Sequence, residues 1–342
     1  MSYDRAKMKL EVKQLMKKTR PRPIWLTLLY LVIVAAGSWV IQTVIGSVIG
    51  VGAVTSAYIQ ALMSLDPSNW ERAVEELAAS LVMNSSVLSG IISGSILMGI
   101  LSYLWTSLMG MSYVGYTLDM VRGKNPGAKA LFSAFPKFGK VILTNILVGV
   151  FTALWSLLFS LALVIVIVIA ALLIEAVPAI GILLMIVGYA AFLAVMLWVT
   201  LRYAMVNYLV MDQDLSGLEA IRVSKQMMKG YKGRLFVLYL SFIGWYLAAF
   251  AIILVGALLM GLCALPMVGG SMGGIIAGVI LMLVVGLVMV VGTLLLEMWL
   301  TPYVGGCTVK FYEYIMSQRP DLFARQEPGD DTFGNPSYPT LG

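Results

Sequence analysis

Histidine is absent from this chain, and only two cysteines, Cys263 and Cys307, are present. The sequence therefore contains no histidine base for a catalytic triad, no CxxC pair and no zinc-ligand spacing. It also lacks a glycine-rich phosphate loop of the Walker type. From these absences we predict that the protein binds no cofactor or metal and is not an enzyme.

Charged residues are also scarce. They make up 12% of the chain, whereas about a quarter of a soluble domain is charged. Apolar residues make up 60% of the chain, and the mean hydropathy is +0.93. The composition predicts an all-α integral membrane protein.

A helix needs about 20 apolar residues to cross the hydrocarbon core, so the uncharged stretches count the spans. Two spans fit into residues 235–296, which are uncharged and are interrupted around 263–274 by Pro266 and several glycines. The other predicted spans lie near residues 24–50, 87–115, 141–173 and 179–203. The sequence therefore predicts six transmembrane helices within residues 24–317, followed by a disordered cytoplasmic tail at 318–342.

Lysine and arginine lie almost entirely on one side of these spans. Eight precede the first span, five lie between the second and third, six lie around the fourth-to-fifth connection and three follow the sixth. The opposite side has Arg72 alone. The positive-inside bias then predicts that both termini are cytoplasmic. It also accounts for the net charge of +6 without a nucleic-acid partner.

Basic segments precede three pairs of spans. Residues 1–23 form a cytoplasmic segment whose basic and apolar residues fall on different sides of a helix. Ser216 and Glu219 have the spacing of a capping box, and the basic residues that follow recur at steps of three and four. The segments around Gly127 and Gly217 resemble each other, which indicates an internal repeat. We predict three hairpins, each preceded by a cytoplasmic amphipathic helix, although charge bias alone produces similar alternation.

Three parts of the chain resemble a family of multi-pass bacterial membrane proteins, domain of unknown function nine-seven-five. The segments are YTLDMVRGK at 116–124 with LFSAF at 131–135, KGYKGRLFVLYLSFIGW at 229–245, and PY at 302–303 with FYE at 311–313. The second segment is the most specific of them. The resemblance implies a bacterial plasma membrane and this architecture, and it implies no particular reaction.

The basic cytoplasmic residues are candidates for contact with anionic lipid headgroups or with a protein partner, since each basic residue near the surface contributes about 1 kcal/mol of attraction. Orientation bias alone also explains their presence. The candidates are Lys129, Lys137, Lys140, Arg222, Lys225, Lys229, Lys232 and Arg234.

Four acidic or aromatic residues at the cytoplasmic border, Asp212, Asp214, Tyr312 and Glu313, are expected to be solvated. Arg202 and Glu297 are predicted at one depth, near the cytoplasmic end of the fourth and sixth spans. They form a candidate intramembrane pair, with separate snorkelling of each side chain as the alternative.

The leading interpretation is a non-enzymatic membrane protein whose cationic cytoplasmic face binds anionic lipid or a protein partner. The alternative is a small transporter or permease component for a neutral or amphipathic solute, since repeats and glycine-interrupted helices are common in transporters. A neighbouring gene for an ATPase would favour transport.

Overall fold

The computed structural model describes residues 4–48, 85–268 and 271–323, and helices account for nearly all of this part of the chain. Six of its helices are long and apolar enough to cross a membrane. The predicted all-helical class and the number of span-length helices are therefore confirmed. The connection between the first two predicted spans, including Arg72, and most of the predicted tail lie outside the described residues.

Eleven α-helices make up the described part of the chain. In order they are α1 (Arg5–Lys18), α2 (Pro23–Val48), α3 (Ser85–Val121), α4 (Phe138–Ala176), α5 (Pro178–Tyr203), α6 (Val206–Asp212), α7 (Gly217–Met227), α8 (Lys232–Leu240), α9 (Ile243–Cys263), α10 (Leu265–Val268) and α11 (Met272–Gln318). Short 3-10 helices lie at Ala128–Phe132, Phe135–Lys137 and Pro320–Leu322.

The last helix is longer than its span. Ser271 caps its start by accepting a hydrogen bond from the Gly274 amide at 3.1 Å. Its 47 residues measure about 70 Å at 1.5 Å per residue, against about 30 Å for a hydrocarbon core. α11 therefore continues past the predicted end of the sixth span, and Pro302 lies inside it without ending it.

The basic segments depart from the predicted helices at two places. Around Gly127 the chain forms two 3-10 turns instead of an α-helix. Pro136 lies in the second turn, and it has no amide N–H to continue an α-helical hydrogen-bond ladder from the first. Ser216 is the N-cap residue of α7, but its side chain accepts no cap hydrogen bond. Gly230, at φ +80°, lies in the turn that separates α7 from α8.

Buried side chains concentrate where the basic segments meet the ends of the long helices. We call this region the junction core, and it joins α1, α6, α7 and α8 to the ends of α3 and α11. Its fully buried members include Val12, Tyr116, Met120, Leu209, Met227, Leu235, Phe311 and Tyr312.

The span-length parts of the helices are exposed by comparison. α2 packs against α3, α4 against α5, and α9 against α11. In the most apolar window of each span-length helix, between 0% and 22% of the residues are buried. Their apolar side chains point outward, as expected for helices surrounded by lipid tails, which are as apolar as leucine.

Candidate functional site

Two of the predicted basic residues form ion pairs with one carboxylate. The Lys137 and Lys140 ammonium groups lie 2.7 Å and 3.1 Å from Asp214 Oδ1, and Lys140 also donates to the Asp214 carbonyl oxygen at 2.8 Å. Hydrogen bonds from Lys137 and Lys140 lower the pKa of the Asp214 carboxyl. These lysines hold the start of α4 to the loop after α6.

Arg234 has a structural contact. Its Nη1 donates to the Tyr314 hydroxyl at 2.7 Å, and its guanidinium lies 5.3 Å from the Tyr231 ring centroid. The contact joins the start of α8 to the last turns of α11. Arg234 therefore contributes to the junction core as well as to the surface charge.

Two predicted residues, Lys225 and Lys232, lie over aromatic rings together with Arg202. Lys232 Nζ is 3.8 Å from the Trp198 ring centroid, and the Arg202 guanidinium is 5.5 Å from the same ring. Lys225 Nζ is 5.2 Å from the Phe151 centroid and 5.6 Å from that of Tyr203. We call these six residues the Trp198 cluster.

The Trp198 cluster has three cations and no carboxylate. Within the described ranges, none of Arg202, Lys225 and Lys232 takes part in an ion pair. Burial and the Arg202 charge lower the pKa of both lysines. Each ring stabilises a cation by about 0.5–1 kcal/mol, which offsets part of the mutual repulsion. The arrangement is suited to an anion.

The other predicted basic residues lie apart from both groups. Lys129, Arg222 and Lys229 are exposed. Their side chains form no ion pair in the part of the chain that the structure describes, although the Lys229 carbonyl accepts a hydrogen bond from Arg319 at 3.3 Å. They add to the electrostatic potential of the surface without forming a defined site.

Arg202 and Glu297 both lie in the described part of the chain, and they do not form the predicted ion pair. Glu297 is exposed, while Arg202 lies over Trp198 and its carbonyl accepts from Ser224 Oγ at 3.1 Å. A shared depth does not determine the direction in which each helix presents its side chain. The contact with α7 turns this end of α5 toward the basic segment.

A polar network in the junction core was not predicted. Arg122 binds the Asp212 carboxylate through two nitrogens, with Nη2 3.0 Å from Oδ2, and its Nε lies 3.4 Å from Glu313 Oε1. The Tyr312 hydroxyl donates to Asp212 Oδ2 at 3.0 Å. The hydrogen bond with Asp212 raises the pKa of Arg122. The network ties the end of α3 to α6 and α11.

The expectation that these border residues are solvated was wrong for two of them. Tyr312 has no exposed surface, and the Asp212 side chain is 6% exposed. The reason is that α11 continues as a helix into the junction core. A signal was present in the sequence, since Arg122, Tyr312 and Glu313 all lie in the segments that carry the family resemblance.

No group of three or more His, Cys, Asp and Glu side chains that could hold a metal ion occurs among the described residues. The Arg122 network is already paired internally, so its arrangement is suited to holding helices together. The cations of the Trp198 cluster, by contrast, have no carboxylate partner in the described structure.

Together the fold and this site define an all-helical membrane protein with a compact basic end. A family model described as protein of unknown function (DUF975) matches residues 1–319. The chain belongs to this family, and the resemblance seen in the sequence is confirmed. No curated protein and no solved structure matches the chain.

Proposed function

We propose that the chain is a non-enzymatic multi-pass protein of the bacterial plasma membrane whose cationic cytoplasmic face binds anionic lipid headgroups. Its six spans form three hairpins with both termini in the cytoplasm. The distribution of lysine and arginine supports this orientation. The packing of α2 with α3, α4 with α5 and α9 with α11 supports the hairpins.

The basic helices of this proposal are attached to the protein and do not insert freely into lipid. α7 buries Ala220, Ile221 and Met227 in the junction core, and α1 buries Met8 and Val12. These apolar residues are therefore already packed inside the protein. Attraction to the bilayer comes from the exposed basic sides and depends on charge.

The Trp198 cluster is the observation that carries the proposal. Trp198 is near the end of α5, where an aromatic ring lies at headgroup depth if α5 crosses the bilayer. Arg202 and Lys232 lie over this ring, and Lys225 lies over the neighbouring rings of Phe151 and Tyr203. None of the three cations has a carboxylate partner in the described part of the chain. A lipid phosphate at this position would neutralise cations that otherwise repel one another.

The test is native mass spectrometry of the full chain, purified in detergent with equal amounts of phosphatidylglycerol and phosphatidylcholine. The K225Q/K232Q variant should retain much less phosphatidylglycerol than the unmodified protein. At roughly 1 kcal/mol per basic residue, the loss corresponds to about 30-fold in Kd.

The matched control is R222Q/K229Q, which removes two exposed cations from the same segment but none from the Trp198 cluster. It should retain phosphatidylglycerol nearly as well as the unmodified protein. Equal retention by K225Q/K232Q and the unmodified protein would contradict a lipid site here. Retention of a co-purified protein that K225Q/K232Q loses, without a change in lipid, would assign the cluster to a protein partner.

The alternative of a small permease has one structural feature in its favour. A cleft of about 490 Å³ lies between α9 and α11 and is lined by apolar residues that include Val255, Gly256, Val284 and Val288. Flux of a neutral or amphipathic solute into proteoliposomes, abolished by V288W in the cleft, would support transport. Equal flux with and without the protein would contradict it.

A further inference from the structure

A second basic groove lies beside α1, on elements that the Trp198 cluster does not use. It has a volume of about 780 Å³ and lies between α1, the start of α2 and α11. Ligand pockets in proteins usually measure about 300–1,000 Å³. We call it the α1 groove, and six of its lining residues determine its chemistry: Leu10, Lys13, Lys17, Arg22, Ile24 and Trp299.

One part of the α1 groove is cationic without a counter-charge. Lys13 and Lys17 are four residues apart on α1 and so lie on the same side of the helix, and Arg22 follows before α2 begins. No Asp or Glu lines the groove, and in the described structure none of these three cations is in an ion pair. The nearby acid on α1, Glu11, is directed to Lys310 at 3.7 Å.

The remaining part of the α1 groove is apolar. Leu10 is 60% exposed, and Ile24 and Trp299 are half-buried. Lys13 Nζ lies 6.0 Å from the Trp299 ring centroid, so the charged and apolar parts meet at this ring. Ile24 is at the start of the first span-length helix. The groove therefore leads from a cationic surface to the apolar side of a span.

The groove is held open by packing in the junction core. α1 lies close to α11 because Gly306 has no side chain, and a Cβ there would be 2.7 Å from Val12 Cγ1. Met8, Val12 and Met16 are buried on this side of α1. The exposed side of α1 is thus presented in a fixed direction, and its cations need no large rearrangement to meet a ligand.

We infer that the α1 groove binds an anionic phospholipid, with the phosphate beside Lys13, Lys17 and Arg22 and the acyl chains along Ile24 and Trp299. A cationic part next to an apolar part that faces a span matches the two halves of such a lipid. The inference rests on the proposed role at anionic membranes but concerns a site separate from the Trp198 cluster.

Trp299 provides the measurement. The full chain is reconstituted in phosphatidylcholine bilayers with a small fraction of phosphatidylglycerol or phosphatidylcholine brominated in its acyl chains, which quenches tryptophan on contact. The contribution of Trp299 is obtained by subtracting the fluorescence of W299F from that of the unmodified protein. Brominated phosphatidylglycerol should quench Trp299 more strongly than brominated phosphatidylcholine at the same fraction.

Three charge variants test the cause of that preference. In K13Q/K17Q/R22Q the two brominated lipids should quench equally, whereas K13R/K17R/R22K should keep the preference because it keeps the charges. R5Q/K7Q/K18Q removes three exposed cations of α1 that do not line the groove, and it should also keep the preference. Equal quenching in the unmodified protein, or an equal loss in both glutamine variants, would overturn the inference.

A soluble anion is distinguished by repeating the measurement in phosphate and chloride buffers of equal ionic strength. A phospholipid site keeps its preference in both buffers, while loss in phosphate alone would assign the groove to a free phosphate ion and overturn the lipid proposal. If the α1 groove shows no preference but the Trp198 cluster still retains phosphatidylglycerol, this inference fails and the proposed function is unaffected.

Discussion

The two halves of α11 have different surroundings although they belong to one uninterrupted helix. Leu283 and Leu287, in its first half, are 69% and 65% exposed, whereas Phe311 and Tyr312, near its end, have no exposed surface. The first half is suited to contact with lipid tails and the second with other side chains. The hydrophobicity of a helix therefore does not determine whether lipid or other parts of the protein cover its surface.

The same difference runs through the whole molecule. The described spans bury few residues. Their most extensive contacts are between α2 and α3, α4 and α5, and α9 and α11, although α11 also contacts α2 and α3. The junction core joins these helices at one end. We therefore expect substitutions in the junction core to destabilise the assembly much more than equal substitutions in the spans.

The largest expected effect on stability comes from removing a phenylalanine ring from the junction core, compared with removing one from a span. Phe311 is fully buried and Phe250 is 60% exposed on α9. F311A should lower the free energy of unfolding by about 3–5 kcal/mol because it leaves a cavity. F250A should change the free energy of unfolding by no more than about 0.5 kcal/mol. Denaturant unfolding in detergent, followed by tryptophan fluorescence, measures both. Equal losses would show that the spans are as tightly packed as the core.

The next effect concerns the Arg122 network. D212A leaves Arg122 and the Tyr312 hydroxyl without this carboxylate, and it should cost about 1.5–3 kcal/mol, as expected for hydrogen bonds to charged groups. D119A is the control, since Asp119 pairs with Lys124, whose side chain is 62% exposed, and exposed pairs contribute about 0–1 kcal/mol. The same unfolding assay applies. A larger loss of stability in D119A than in D212A would contradict a structural role for the Arg122 network.

A smaller effect of opposite sign is expected at Tyr116. Its hydroxyl is buried and has no hydrogen-bond partner in the described structure. Y116F should therefore raise the free energy of unfolding by about 1 kcal/mol, because it removes an unsatisfied polar group. Y312F, which loses a hydroxyl bonded to Asp212, should lower it. Destabilisation by Y116F would indicate that the hydroxyl has a partner after all.

The smallest effect is the pH dependence of Asp214. Lys137 and Lys140 lower the pKa of its carboxyl in the folded protein, so the folded state favours the charged form. Its contribution to stability is present above about pH 4, the range of an unfolded aspartate, and is lost as the pH falls through the lowered pKa. The side chain is 60% exposed, so the contribution should stay below about 1 kcal/mol.

The measurement for Asp214 compares the unmodified protein with D214N between pH 6 and pH 3, roughly the range over which aspartates titrate. Asn suits the positive φ of +53° at this position, so the backbone does not confound the comparison. The difference in stability should shrink toward acid pH. A difference that is independent of pH would mean that the two lysine contacts do not stabilise the fold.

Much of the architecture was predictable because it depends on local properties. The six span-length helices follow from uncharged stretches of sufficient length, and the break between α9 and α11 follows from Pro266 and its neighbouring glycines. The separation of basic and apolar residues in segment 1–23 was also readable from the sequence, and the apolar residues Met8 and Val12 are buried in α1. Each of these features depends on residues close together in the chain.

Only the tertiary structure decided which charges remain without a partner. Lys137, Lys232 and Arg234 look alike in the sequence, yet one pairs with Asp214, one lies over Trp198 and one contacts Tyr314. The partners are on other helices, and their positions depend on how those helices rotate and pack. Hydropathy and charge thus determined a membrane protein with a basic end, whereas the packing of the junction core determined which charges of that end are paired.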